Sequence, residues 1–312
     1  MKRLIPLALL ALAFPWVMHA FGQDFYISFA ARILIYAMAA ASLNLVLGYG
    51  GMVSFGHAAF FGAGAYMVGI LAAEGVTSLW ISWPIAIAVA AAAALVVGAI
   101  SLRTRGVYFI MITLAFAQMM YYVFVSLKAY GGDDGLSMPG RSTTGIGASL
   151  SNDFVWYYVV LVLLGAVLYI LHRLIHSRFG RVIEAIRENE TRATAIGYPV
   201  YRYQLICFVI SGAIAGLAGA LIANQTNYVG PSLLHWVQSG TLMIMVILGG
   251  VGRFWGGPVG AAVLLVLEEV FSGTPILGPY SLHWQLPVGL ILLAVVLWAP
   301  RGIAGAFAQK TP

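Results

Sequence analysis

Stretch after stretch of this chain is apolar and carries no charge. Ile85–Ser101 contains none, and neither does Val107–Leu127. A helix on the surface of a soluble protein needs a polar face, and these stretches have none. Charged residues make up 8% of the 312 residues, against roughly 25% in soluble domains. The excess apolar surface must face lipid. Inside a bilayer the backbone polar groups have to be satisfied within a helix or around a closed barrel. A barrel strand alternates apolar and polar positions, and the Ala/Leu/Val runs here do not alternate. The sequence therefore predicts an all-α integral membrane protein.

Spans fall near 4–21, 28–47, 57–73, 80–101, 107–127, 155–174, 203–223, 239–250, 258–272 and 286–299. With roughly 20 apolar residues needed per crossing, this gives a polytopic bundle of about 8–10 transmembrane helices. The third, eighth and ninth spans are short or Gly-rich, so broken or re-entrant segments are expected there. The start, Met1-Lys2-Arg3 followed by an apolar stretch to Met18, has the look of a signal peptide. Met18 stands where cleavage wants a small residue, and many spans follow, so an uncleaved first span is expected.

The charges orient this layout. With the N-terminus inside and ten alternating spans, 13 of the 16 basic residues fall inside, and only Arg32, Lys128 and Arg141 fall outside. Seven of the ten acids lie outside: Asp24, Glu74, Asp133, Asp134, Asp153, Glu268 and Glu269. Cytoplasmic loops carry the Lys/Arg excess, which places both termini in the cytoplasm. The net charge of +6 thus answers a membrane, and no nucleic-acid partner is expected. The chain reads as a single transmembrane domain over 1–312, with an outside loop at 128–154 and a basic inside segment at 175–202.

Leu47, Gly48, Gly51 and Gly56 recur as Leu248, Gly249, Gly252 and Gly257, at a constant offset of 201 residues. Such spacing suggests pseudo-repeat halves with interrupted helices along a transport path, although glycine is common enough here for chance matches. The lone Cys207 excludes an internal disulfide and any cysteine metal cluster. No metal and no cofactor are expected. A Gly-rich phosphate loop ending in Lys-Ser/Thr is absent, so ATP, if used, binds another chain.

Four segments stand out. Leu45–Tyr66 is Gly- and Ala-rich, and it holds Ser54 and His57. It reads either as a broken helix lining a path or as a tight packing seam with His57 bonded to a neighbour. Asn44, Thr113 and Gln118 join Ser54 and His57 as candidate path residues, beside a wider set at span ends that includes Asn224, Gln225, Asn227 and Gln238. Ser177–Pro199 predicts an interfacial helix, with Asn189 or Thr191 as a cap and Gly197 before Pro199 as a stop. Its mixture of Arg187 and Arg192 with Glu184, Glu188 and Glu190 suits a protein partner better than lipid alone. Finally, Gly212, Gly216 and Gly219 have the small-residue spacing of helix packing. The layout leaves Glu268 and Glu269 near the outer surface and no acid at mid-membrane, which argues against proton-coupled transport.

Residues 43–66 (LNLVLGYGGMVSFGHAAFFGAGAY), 181–221 (RVIEAIRENETRATAIGYPVYRYQLICFVISGAIAGLAGAL) and 299–307 (APRGIAGAF) resemble the M-type permease of the high-affinity branched-chain amino-acid ABC importers. The resemblance implies a multi-pass subunit of a bacterial inner membrane. It implies a second, H-type permease as partner, two cytoplasmic ATPase subunits, a periplasmic substrate-binding protein, and no chemistry on this chain. The substrate would be a branched-chain amino acid or, as in other members, urea, an amide or an aromatic acid. A stand-alone secondary transporter is the alternative outside the family. The resemblance also implies ATPase coupling through Glu184, Arg187, Glu188, Arg192 and Gly197. The general importer pattern is met only in part there, by Glu184-Ala185-Ile186 with Gly197 further on.

Overall fold

The structure is a computed structural model that describes residues 4–145, 150–273, 285–299 and 302–307. It is an all-α polytopic membrane bundle. The helices are α1 (Leu4–Ala20), α2 (Phe25–Asn44), α3 (His57–Ala73), α4 (Leu79–Ser101), α5 (Val107–Ser126), α6 (Asp153–Ile175), α7 (Arg178–Glu188), α8 (Glu190–Ala195), α9 (Val200–Thr226), α10 (Trp236–Gly249), α11 (Gly256–Gly273), α12 (Gln285–Trp298) and α13 (Ile303–Phe307). Each of the ten spans read from sequence falls on a helix. Among the described residues five helices are long and apolar enough to cross a bilayer: α2 with its continuation to Tyr49, α4, α5, α6 and α9. The single interfacial helix expected after Ser177 is instead two. Asn189 has an extended backbone (φ −158°, ψ 98°) that breaks it, and the Asn189 side chain caps α8 by accepting from Arg192 N.

The centre of the bundle is α3, enclosed by α4, α9 and α10. Nearly all its residues are buried, from His57 to Ala72. Lipid offers no hydrophobic drive for helices to associate, so close approach of small residues must supply the contact. Added Cβ atoms show how close the approach is. One at Gly212 would strike Ala94 Cβ, one at Gly216 would strike Ala90 Cβ, and one at Gly219 would strike the Phe61 carbonyl. The three glycines thus let α9 lie against α4 on one side and α3 on the other. Cys207 is fully buried in the same helix.

The connections gather at two ends. At one end Arg105 Nη2 pairs with Glu190 at 2.8 Å, and α7 meets the turns that follow α2 and α10. At the other, the 128–145 segment is fastened down. Leu136–Ser137 pairs antiparallel with Tyr228–Val229, Ser142 N donates to Asn224 Oδ1 at 2.6 Å, and Tyr130 Oη donates to Glu74 at 3.1 Å. Arg141 bonds Asp153 at 2.5 Å and the Leu150 carbonyl at 2.9 Å, with its guanidinium over the Trp156 ring. Residues 128–145, part of the loop read from sequence, therefore fold over the ends of α3 and α9.

Candidate translocation path

Two helices begin inside the bundle, and they begin side by side. After α2 the chain makes a π-helical turn over Leu45–Tyr49, then runs without helix through residues 50–56 before α3 starts. After α9 it pairs at Tyr228–Val229 beside Gly69, passes Leu234 beside Gly62, and only then starts α10. At 1.5 Å per residue, the descent from the level of Gly69 to that of Gly62 is about 10 Å. The 17 residues of α3 place its start about 25 Å from its far end. The 14 residues of α10 place its start about 21 Å from the other end. Neither spans a hydrocarbon core of about 30 Å alone.

Ser239 joins the two starts. Its hydroxyl accepts from Ala58 N at 2.8 Å and donates to the Phe55 carbonyl at 2.7 Å. On the other side Thr113 of α5 accepts from Phe55 N at 3.2 Å and donates to Ile110 O at 2.9 Å. Ser54 Oγ accepts from Gly56 N at 3.1 Å. These bonds satisfy the backbone of a non-helical segment at membrane depth, which is tolerated only where protein or a water-lined cavity surrounds it. The Phe55 ring meets Trp236 at 6.4 Å between centroids.

A cavity approaches this junction from each end. The one at the Arg-rich end holds about 280 Å³ and is lined in part by Gly50, Met52, Val53, Phe109, Ile110 and Arg187. The one at the opposite end holds about 520 Å³ and is lined by Tyr121, Asp133, Tyr228, Ser232, His235 and Gln238 among others. Helix α5 serves as a ruler: Phe109 and Ile110 face the first cavity, Thr113 holds Phe55, and Tyr121 faces the second. Thr113, with the Phe55 backbone that it holds, thus lies on α5 between the residues that face the two cavities.

The five path residues read from sequence are thus brought to different places. Thr113 and Ser54 hold the junction itself. Gln118 lies between Thr113 and Tyr121 on α5, with Oε1 buried and unbonded. His57 faces neither cavity. Ser211 Oγ donates its only proton to Ser42 O at 2.5 Å, so the 2.8 Å contact with His57 Nε2 has the imidazole as donor. The ring lies edge-on to Phe60 and Phe208, and His57 serves to tie α3 to α9 and α2. Asn44 also lines neither cavity. It donates to the Arg253 carbonyl at 2.7 Å and accepts from Gly252 N at 3.0 Å, which binds the end of α2 to the turn after α10.

That contact brings together the two Gly-rich turns that repeat in sequence. A Cβ at Gly48 would strike Gly252 N. Gly51 (φ +68°) and Gly252 (φ +73°) hold left-handed backbone that favours glycine. Arg187 of α7 lies across both turns. Its Nη1 donates to Gly48 O. A Cβ at Gly51 would stand 2.6 Å from Arg187 Cγ, and one at Gly252 3.3 Å from Nη1. Of the other coupling candidates, Glu184 is half-buried, while Glu188, Arg192 and Gly197 are exposed beside Ile196 and Tyr198. The sequence reading missed Phe55, Trp236, Ser239, His235 and Ser211. Single aromatic and serine positions in apolar runs carry no pattern that marks them.

The chain has measurable relatives. The family described as "Branched-chain amino acid transport system / permease component" matches residues 25–297. The high-affinity branched-chain amino acid transport system permease protein LivM of Escherichia coli K12 is 28% identical, over 96% of this chain and 74% of its own length. A probable LivM of Methanocaldococcus jannaschii is 26% identical, over 86% of this chain and 90% of its own. The LivH permease of E. coli K12 is 23% identical, over 86% of this chain and 91% of its own. No solved structure matches the chain. With the match running across nearly all the helices, the chain belongs to the family of permease components of branched-chain amino acid transport systems.

Proposed function

We propose that this chain is the M-type permease subunit of an ABC importer that moves branched-chain amino acids into the cytoplasm. The observation that carries the reading is the pair of cavities that stop on either side of one junction between two interrupted helices. A carrier path gated at such a junction is the general design of transporters with broken helices. In the proposed assembly an H-type permease supplies the other half of the pathway, two ATPase subunits hydrolyse ATP below, and a periplasmic binding protein delivers substrate above. Similarity to both LivM and LivH permeases supports a paired arrangement. This chain supplies no chemistry of its own.

The chain lies in the bacterial inner membrane with both termini in the cytoplasm. Support comes from the sorting of charge: Arg105, Arg187 and Arg253 meet at one end, while Glu74, Asp133 and Asp153 sit at the other. Residues 1–312 then form one permease domain, 128–154 its periplasmic loop and 175–202 its coupling segment.

In this reading Glu188, Arg192 and Gly197 face the ATPase, with Glu184 behind them. Arg187 points the other way and carries movement of α7 to both Gly-rich turns. The turns lead into the segment 50–56 and into α11, so displacement of α7 bears on Phe55. To test the function, the gene is deleted and uptake of radiolabelled leucine is followed. Loss of high-affinity uptake, restored by the intact chain, is expected; unchanged uptake in the deletion strain would overturn the reading.

A further inference from the structure

We infer that His172 and His176 form a binding site for a divalent transition-metal ion that takes its ligands at right angles, Cu²⁺ or Ni²⁺, at the joint between α6 and α7.

The two histidines lie four residues apart at the end of α6, and helix residues at that spacing share a face. Both are exposed. Their ring centroids are 4.1 Å apart, with 39° between the ring planes. A hydrogen bond fixes the tautomer of His176, whose Nδ1 lies 2.8 Å from the His172 carbonyl. A carbonyl can only accept, so Nδ1 carries the proton and Nε2 of the neutral ring presents its lone pair. Metal-bound histidines are held in this way, with the second ring nitrogen donating to a carbonyl or carboxylate. The His172 ring stands edge-on to Phe254 at 5.4 Å. That contact, in the turn after α10, limits its rotation toward the bundle.

The ring separation selects the ion. Imidazole nitrogens bind such metals at about 2.0–2.1 Å. Two rings at adjacent corners of a square-planar or octahedral ion then have centroids about 4.5 Å apart, against about 5 Å at tetrahedral corners. The 4.1 Å between His172 and His176 is nearer the right-angle case. Nitrogen and oxygen ligands in that geometry suit Cu²⁺ or Ni²⁺ better than tetrahedral Zn²⁺. The end of α6 adds to the attraction, because the negative end of a helix dipole favours a cation in the last turn. Arg173 is exposed and turned about 100° around the helix from His172. Among the described residues no group of three or more histidine, cysteine and carboxylate side chains is placed to hold a metal. Water therefore completes the coordination, and the site is open and exchangeable. The thiol of Cys207 is buried and does not compete. No metal is expected from the sequence, where a histidine pair lacks the further ligands of a structural site; the ring separation and the Nδ1 bond appear only in the fold. Ser177, next after His176, caps α7 by accepting from Gly180 N at 3.4 Å. A bound ion thus sits where α6 passes into the helix that carries Arg187.

The test uses the full chain, purified without a polyhistidine tag and held in lipid nanodiscs. Cu²⁺ and Ni²⁺ are titrated by calorimetry, and the Cu²⁺-loaded chain is observed by electron paramagnetic resonance. A single class of site is expected, with a Cu²⁺ spectrum split by a pair of nitrogen ligands. His172→Gln and His176→Gln are each expected to weaken binding roughly tenfold or more. Both side chains are exposed, so the unfolding midpoint of the metal-free variants should stay in place. His19→Gln, beside Phe154 at the opposite end of α6, should bind as the unaltered chain does. No binding by the unaltered chain, full affinity in either His172→Gln or His176→Gln, or a Cu²⁺ spectrum with one nitrogen ligand overturns the site.

Discussion

At the scale of single residues, the polar groups in this bundle are mostly fasteners. Ser239 is the clearest case, since one hydroxyl closes two backbone groups of the interrupted segment. Leaving buried backbone groups unsatisfied costs about 1–3 kcal/mol. Ser239→Ala is therefore expected to destabilise the protein by roughly that amount, read as a lower midpoint of thermal unfolding in detergent; an unchanged midpoint would remove Ser239 from the junction. His57 illustrates how far the sequence could be read. A histidine inside an apolar run is visible as an anomaly, but its role depends on Ser211 and Ser42, which lie 154 and 15 residues away. Ser211 joins a proton-accepting carbonyl to a proton-donating ring, and no local spacing announces that geometry. Arg187 is similar. Sequence identified its segment, whereas the direction of its side chain comes from the packing of α7 against the turns.

At the scale of elements, apolar length gave the spans because lipid admits few backbone solutions. Every span read from hydropathy falls on a helix, with ends displaced by a few residues; α9 extends from Val200 to Thr226 where the sequence suggested 203–223. Helix breaks were harder. The Gly spacing at 48, 51 and 56 and its copy at 249, 252 and 257 pointed to two turns, and those turns touch. Depth was not legible, because how far α10 starts inside the bundle depends on the descent of residues 228–235 beside α3. The α7 latch leads to a prediction at this scale. In the assembled transporter, Arg187→Ala is expected to leave ATP hydrolysis in place while uptake falls roughly tenfold or more. The loss corresponds to one charged hydrogen bond of about 1.5–3 kcal/mol. Equal loss of hydrolysis and uptake would make Arg187 a docking contact instead. Helix α9 gives a second test. Gly216→Leu would force α9 from α4 at Ala90, so less chain should accumulate in the membrane, whereas Gly165→Leu, where a Cβ meets nothing within 4 Å, should be tolerated.

At the scale of the whole molecule, the bundle is a rigid core with an interrupted seam. Helices α3, α4 and α9 are joined by small residues at backbone distance, which leaves little room for independent motion. The seam between α5 and α10 differs. Its outer faces expose Met111, Met119, Tyr122, Ile244 and Ile247, and it holds the cavity lined by Tyr121, His235 and Gln238 and adjoins the Phe55–Trp236 contact. A second permease packed against this seam would close the path. The bundle, its spans and its family were legible in the sequence, because composition and motif survive without coordinates. The candidate junction was not, since it is made by residues from α5, the 50–56 segment and α10 that meet only in the fold.

As proposed, this chain is a passive half-path driven by ATP on other subunits. The most direct test is leucine uptake into proteoliposomes. One set holds this chain alone, and the other holds it with its co-purified partner subunits, ATP and the binding protein. Leucine is expected to accumulate against its gradient only in the complete set and only with ATP. Accumulation or equilibration of leucine by the chain alone, without ATP, would contradict it.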